Sequence, residues 1–505
     1  MVPSNMVCSS QLGMIPRPKL DSHSSVPLYR QLFEYFRDAI GSENLSPGDR
    51  LPATRELAGQ IGLNRTTVTA AYELLEAEGL IRSHVGRGSF VAGAGAGGAA
   101  HFRWREHLVE SETDPAFAAA PERPAGISFA TSRPAADLFP LGEIRETMRE
   151  VMANEAAAIL QLGSPNGYPP LRRWLLEQSV ERGEARESDG VIITNGCQQA
   201  LDLLQRVLIS SGDKVVVEDP VYPGIHHVLS HAGARVIGVP VEGRGLDIDR
   251  LEEVLRAEHP KLVIVTPNFQ NPTGATLPET ARRRLLRVAK ETGTIVAEND
   301  IYADLRYRGA AEPSLKQLDA DGDVIQLRSF SKISFPGLRV GWVLGPRPVI
   351  ARLAEAKQWT DLHTDQLAQA LLCRFADAGR LEAHRRRVVV AGRTRLAAML
   401  RACERHLPNG ARFTRPEGGM SLWVELPEPF DASELLPKAH SAGVSYLPGR
   451  YFGVTRSHNE SLRLCFAGLR PAEIEEGLAR LGRLFATELR RAREVSRYDA
   501  APAMV

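Results

Sequence analysis

The sequence has little that suits a secreted scaffold or a membrane. Its five cysteines (Cys8, Cys197, Cys373, Cys403, Cys465) are scattered over 505 residues and form no C-x-x-C pair, which argues against a disulfide framework and a structural zinc site. No stretch approaches the run of about 18 to 20 apolar residues that a membrane helix needs, and the first twenty residues lack the apolar segment of a secretory signal. A cytoplasmic location is expected. Charge imbalance is missing too: 62 basic against 61 acidic side chains leave a formal net charge of +1. That is no global field for a polyanion, so any nucleic-acid contact must be local. With 43% hydrophobic and 24% charged residues, the composition is that of a folded protein, and the length calls for two or more domains.

Residues 1–24 show no periodicity and are expected to be a flexible leader. In 25–92, Leu28, Leu32, Phe33, Phe36 and Ile40 recur at helical spacing up to Gly41. Thr54 is the expected N-cap of a second helix through Ile61, and Asn64 opens a third that runs to about Glu78. Leu80–Arg82 and Ser89–Val91 predict a hairpin turning through Gly86 and Arg87. Three helices and a hairpin make a winged helix-turn-helix. Such a unit can be a packing solution only, but its side chains argue for DNA. Asn64, Arg65, Thr66, Thr67 and Thr69 cluster at the start of the third helix, as base-edge readers must. Arg55 suits a phosphate, and Arg87 suits the minor groove from the wing tip. From Val26 to Val91 there are seven arginines, no lysine and eight carboxylates. Long-range attraction to DNA is therefore weak, and two copies on a double-stranded operator with two half-sites are needed.

Residues 93–126, with the run Gly93 to Gly98 and later Pro121 and Pro124, have the composition of a linker. From 127 to 486 short β-branched runs alternate with helical periodicity, which predicts an α/β domain with a largely parallel sheet covered on both faces. Its large part is expected at about 140–387 and a smaller α/β part at about 388–486, with a frayed tail over 487–505. The strongest chemical signal is Ser329-Phe330-Ser331-Lys332 with Arg339 seven residues on. A lone lysine after a strand is usually a solvated group. Here two hydroxyls and a guanidinium accompany it, which is what a phosphate-bearing aldehyde requires: an amine for the Schiff base and donors for the dianion. Upstream, the turn Thr194-Asn195-Gly196-Cys197-Gln198 opens a helix whose first amides can receive phosphate. Tyr222 can stack on a ring, and Asn271 and Tyr302 can reach a ring oxygen.

The segments Gly48-Asp49-Arg50-Leu51-Pro52, Arg55-Glu56-Leu57-Ala58 and Asn64-Arg65-Thr66-Thr67-Val68 resemble the winged-helix domain of GntR-family transcription regulators. The resemblance implies DNA contacts by Arg55, Arg65, Thr66, Thr67 and Gly86. The downstream pieces resemble pyridoxal-phosphate enzymes of the aspartate aminotransferase fold, fold type I. Joined, the two resemble the MocR subfamily of bacterial regulators over nearly the whole chain. This implies Lys332 as the residue that carries pyridoxal 5′-phosphate, with Cys197, Gln198, Ser329, Ser331 and Arg339 around the phosphate. It also implies Tyr222 stacking, Asn271 and Tyr302 at the ring oxygen, Arg463 as a clamp for an effector carboxylate, and a homodimer in which the head of one chain lies against the large domain of the other.

Two departures stand out. The family places an aspartate three residues before the tyrosine, where it keeps the pyridine nitrogen protonated; here that position is Asn299, and an amide cannot supply the charge. Asp300 is adjacent, but neighbouring strand residues point to opposite faces unless a bulge or strand end re-aims them. Leu162 stands where the family usually has a tyrosine that reaches the partner's phosphate. The expected function is a DNA-binding regulator, nucleoid-associated when bound, that senses an amine or amino acid, or pyridoxal phosphate itself. The alternative is a working aminotransferase with a DNA-binding head.

Overall fold

The protein is described by a computed structural model over residues 18, 20–21, 24, 26–42, 44–84, 88–92 and 126–499. The chain divides into two compact units, 1–119 and 120–505. Leader and linker, 1–24 and 93–126, lie almost wholly outside the described residues.

The first unit contains α1 (Leu28–Gly41), α2 (Thr54–Ile61), α3 (Arg65–Ala77), β1 (Ile81–His84) and β2 (Gly88–Val91). Leu32, Phe33 and Phe36 of α1 bury against Val68, Ala71, Tyr72 and Leu75 of α3, and the Phe36 and Tyr72 rings meet edge-on at 5.8 Å. The Tyr72 hydroxyl donates to the Pro52 carbonyl at 2.9 Å, which pins the entry to α2. Thr54 is not the cap of α2. Ala53 holds the extended cap position and Thr54 is already helical, so this helix starts without a side-chain cap. Asn64 does cap α3, its side chain accepting from the Thr66 amide at 3.2 Å. The antiparallel hairpin pairs Ile81 with Val91. Its tip, including the expected contacts Gly86 and Arg87, lies outside the described residues.

The second unit is built on an eight-stranded sheet of β3 (Asp189–Thr194), β4 (Lys214–Asp219), β5 (Arg235–Glu242), β6 (Gly245–Leu246), β7 (Leu262–Val265), β8 (Ile295–Asn299), β9 (Ile325–Ser329) and β10 (Gly341–Pro346). Their spatial order is β3-β10-β9-β8-β7-β4-β5-β6. The run β9-β8-β7-β4-β5 is parallel, whereas β10 is antiparallel to both neighbours. Val215 and Val217 face one apolar cluster, with Leu203 and Leu204; Val216 faces the other, with Leu251 and Leu285. Both faces are covered, as the unbroken β-branched runs require.

A smaller antiparallel sheet follows: β11 (Arg412–Phe413), β12 (Ser421–Glu425), β13 (Leu447–Pro448) and β14 (Ser461–Cys465). The division expected near 388 falls inside one helix, Arg380–His406, because its apolar face is continuous from Leu381 through Leu396 to Cys403. The final helix runs Pro471–Asp499, past the tail boundary expected at 487. Ile474, Leu478, Leu481 and Phe485 are fully buried along it, Leu489 extends the stripe, and Arg491 pairs with Glu488 one turn back at 2.8 Å. Among the described residues no helix is long and apolar enough to cross a membrane, and no cluster of His, Cys, Asp or Glu could hold a metal ion.

Candidate cofactor site and DNA interface

Strands β3, β4, β8 and β9 end at Thr194, Asp219, Asn299 and Ser329, and the crevice beyond such carboxyl ends is where open α/β sheets bind ligands. After β9 the chain tightens into a single 3-10 turn, Phe330–Lys332, because the Ser329 hydroxyl accepts from the Ser331 amide at 3.1 Å. That turn presents Lys332. Its Nζ donates to the Ser132 carbonyl at 3.0 Å and stands 5.5 Å from the centre of the Tyr302 ring. Burial lowers the Lys332 ammonium to about 8, and the Arg463 and Arg339 charges act in the same direction.

A helix starts at Gly196 (Gly196–Leu208) against Arg339. Gly196 has φ 75°, and a Cβ there would lie 2.4 Å from an Arg339 guanidinium nitrogen, so glycine is required for the guanidinium to reach the helix start. Arg339 itself adopts φ 54°. The first amides of a helix lack intrahelical partners, and Cys197 and Gln198 supply them here. On the turn before Lys332 the buried Ser331 hydroxyl has no hydrogen-bond partner among the described residues. A helix start, a guanidinium and an orphan hydroxyl are the kind of donors that an anion needs. Tyr222 lies near the helix start, its hydroxyl 3.4 Å from the Gln198 amide oxygen.

Asn299 faces this site: its Oδ1 accepts from the Cys197 thiol at 3.4 Å and its Nδ2 donates to the Thr266 hydroxyl at 3.2 Å. Burial pushes that thiol up to about 12, so it is a neutral neighbour. Asp300 turns the other way, accepting from Asn268 at 2.7 Å and standing 3.7 Å from Arg328. The strand alternation therefore holds, and no bulge brings Asp300 into the site. Arg463 on β14 donates to Asn271 Oδ1 at 3.0 Å and to the Ala130 carbonyl at 2.5 Å. Its buried Nε has no partner among the described residues. With its oxygen so engaged, Asn271 is left with Nδ2 as the group to donate. Leu162 is 79% exposed; Tyr168 is no substitute for it, being buried with its hydroxyl on Glu155.

In the first unit Arg55, in the first turn of α2, and Asn64, Arg65 and Thr66, at the start of α3, are exposed, and Thr67 and Thr69 are half-buried.

Residues 126–481 match the family described as aminotransferase class I and II, and residues 28–91 match bacterial regulatory proteins of the gntR family. The probable rhizopine catabolism regulatory protein MocR of Rhizobium meliloti is 30% identical over 96% of this chain and 99% of its own. The chain belongs to the MocR subfamily. Its large domain is also 37% identical to aromatic-amino-acid aminotransferase 1 of Thermococcus litoralis, over 72% of this chain and 89% of that protein. A crystal structure of Pyrococcus horikoshii kynurenine aminotransferase superposes with a TM-score of 0.72 at 36% identity, covering 77% of this chain and 97% of that one.

The aminotransferase class to which this MocR-type domain belongs uses pyridoxal 5′-phosphate, and the donor set fits it. The orphan Ser331 hydroxyl, Arg339 and the Gly196 helix start suit a phosphate dianion, and an amine that titrates near 8 suits an aldehyde. Three partners escaped the sequence reading. Ser132, whose carbonyl holds Lys332, is distant in sequence and carries no local signal. Thr266, just past the end of β7, gives no sign in the sequence that it partners Asn299. Asp219, next to Tyr222, accepts from the Val454, Thr455 and Arg456 amides and from His458 at 3.0 Å, tying that loop to β4. Burial opposes the Asp219 carboxylate, but the bonds from His458 and Thr455 outweigh it and bring its pKa down to about 2.

Proposed function

We propose that this MocR-type protein is a cytoplasmic transcription regulator that holds pyridoxal phosphate on Lys332 and responds to an amine or amino acid. When bound, the cofactor supplies an aldehyde that condenses with amines and a ring that withdraws electrons. The chain's own groups then have separate tasks. Lys332 Nζ, kept easy to deprotonate by burial, would be the anchor for the aldehyde and the amine with which an effector amine competes. Ser329, Ser331, Arg339 and the amides of Cys197 and Gln198 would hold the phosphate. Tyr222 would stack on the ring, and Asn271 and Tyr302 would hold its oxygen. Arg463 takes an effector carboxylate by giving up Ala130 or Asn271. A tether at Lys332 that an effector amine weakens would supply the differential contact between two states that any ligand-driven switch needs.

The observation that carries this reading is Asn299. An amide facing the ring site cannot keep a proton on the pyridine nitrogen, so rapid turnover lacks its electron sink while binding and exchange remain. An exposed reading surface at α3 accompanies it in the same chain. A homodimer on two half-sites, with the head of each chain against the partner's large domain, completes the proposal. Leu160, Leu162, Trp359 and Leu362, between 56% and 86% exposed, flank Gln366, whose amide donates to the Gln161 carbonyl, and such side chains favour burial in a partner.

The test is DNA binding to the intergenic segment upstream of the protein's own gene, read by fluorescence anisotropy with amino acids, amines or pyridoxal phosphate added singly. A shift in affinity with one of them, without rapid conversion of the cofactor to pyridoxamine phosphate, is expected. Rapid conversion with unchanged DNA affinity would establish an aminotransferase instead.

A further inference from the structure

Behind the sheet, on the face opposite Lys332, is a second cavity. Strand alternation puts Ser329 toward the cofactor site and its neighbour Arg328 toward this cavity, where Arg328 pairs across the strands with Trp342. Trp174, Phe330 and Trp342 wall it, with ring centres 4.9 Å apart for Phe330 and Trp342 and 6.5 Å for Trp174 and Phe330. Arg182 stands exposed among the lining residues.

Two buried polar atoms of the lining are unmatched. Glu184 is 5% exposed; its Oε1 accepts from Arg328 at 3.1 Å, while its Oε2 has no hydrogen-bond partner among the described residues. Trp342 is 6% exposed, and its indole N–H has none either. Buried polar groups are nearly always satisfied, so an orphan acceptor and an orphan donor lining one cavity need an explanation. Arg328 does not settle the carboxylate, because it is shared with Asp304 at 2.7 Å and Asp300 at 3.7 Å. Three carboxylates thus share the Arg328 guanidinium, while Arg182 and Arg385 of the lining act on Asp304, and Arg182 on Glu184, without a hydrogen bond to Glu184 Oε2. Burial, together with the Asp300 charge, raises the Glu184 pKa despite Arg328, Arg182 and the nearby Gln326 side chain.

We propose that this cavity is a second ligand site, which takes a small primary amine bearing a hydrogen-bond acceptor. The ammonium donates to Glu184 Oε2 and meets the aromatic walls as a cation–π partner. The acceptor, a carbonyl or hydroxyl, takes the Trp342 N–H, and the apolar body fills the space against Leu175, Ile333 and Leu381. Neither Lys332 nor the cofactor takes part, so the inference does not rest on the regulatory reading.

The experiment uses full-length holoprotein reduced with borohydride, which blocks condensation at Lys332. L-phenylalaninamide is the probe: it carries ammonium, carbonyl and aromatic body but no carboxylate for Arg463. Isothermal calorimetry is expected to show one site per chain. Binding of 3-phenylpropanamide, which lacks the ammonium, is expected to be at least about tenfold weaker, and Glu184→Gln is expected to weaken the probe similarly. Trp174→Leu, at a half-buried wall that spares the Arg328 ion pairs, serves if Glu184→Gln fails to fold, and it too must weaken binding. Tryptophan fluorescence should change with the same midpoint in the parent protein, since Trp174 and Trp342 line the cavity. No binding, or equal binding of probe and neutral analogue, or full binding by a folded Glu184→Gln or Trp174→Leu protein, would overturn the proposal.

Discussion

At the scale of single residues the account turns on Asn299 and Lys332. If the amide of Asn299 is what starves the ring of its proton, Asn299→Asp should raise half-transamination by about tenfold or more, read as conversion of the roughly 420 nm band. An unchanged rate would show that this position does not set turnover. Lys332 gives a pH dependence whose sign follows from its burial. A folded amine titrating near 8, below the ordinary 10.5, is mostly neutral only above that pH. Condensation with pyridoxal phosphate should therefore accelerate steeply from pH 6 to 8 and level off above, whereas an ordinary lysine would keep accelerating to about pH 10. Lys332, Arg339 and the Gly196 turn were legible because their chemistry depends on close spacing. The choice between Asn299 and Asp300 was not, since one residue of register decides which face a strand residue takes, and only the bonds to Cys197, Thr266 and Asn268 settle it.

At the scale of elements, α3 is where DNA recognition and local stability part company. Arg65→Ala should abolish binding to the operator and leave cofactor absorbance unchanged; losing both would mean a folding defect. Asn64→Ala removes the side chain that accepts from the Thr66 amide, so it should cost about 1 kcal/mol of stability in the first unit, measured by thermal unfolding. No loss would show the cap to be idle. Helices with a continuous apolar stripe, such as α1, were legible within a few residues. β5 was missed: it is a half-exposed strand near the sheet edge, interrupted by Gly238 and Pro240, and its periodicity is weak. The last helix was cut short because its polar composition masks the buried stripe that ends at Leu489.

At the scale of the whole molecule, a nearly neutral chain has no overall field to hold DNA, and the proposed homodimer would supply affinity by pairing its heads. Leu162→Asp together with Trp359→Asp should therefore shift the protein toward monomer in sedimentation and weaken operator binding, with the helix content retained. A persistent dimer would place the interface elsewhere. The central claim, that Lys332 carries the cofactor in this DNA-binding chain, has a more direct test. Protein reconstituted with pyridoxal phosphate is reduced with borohydride, digested and mapped by mass spectrometry. The phosphopyridoxyl mass should fall on the peptide containing Lys332 and disappear in Lys332→Ala. A colourless protein with no adduct, or an adduct on another lysine, would contradict the account.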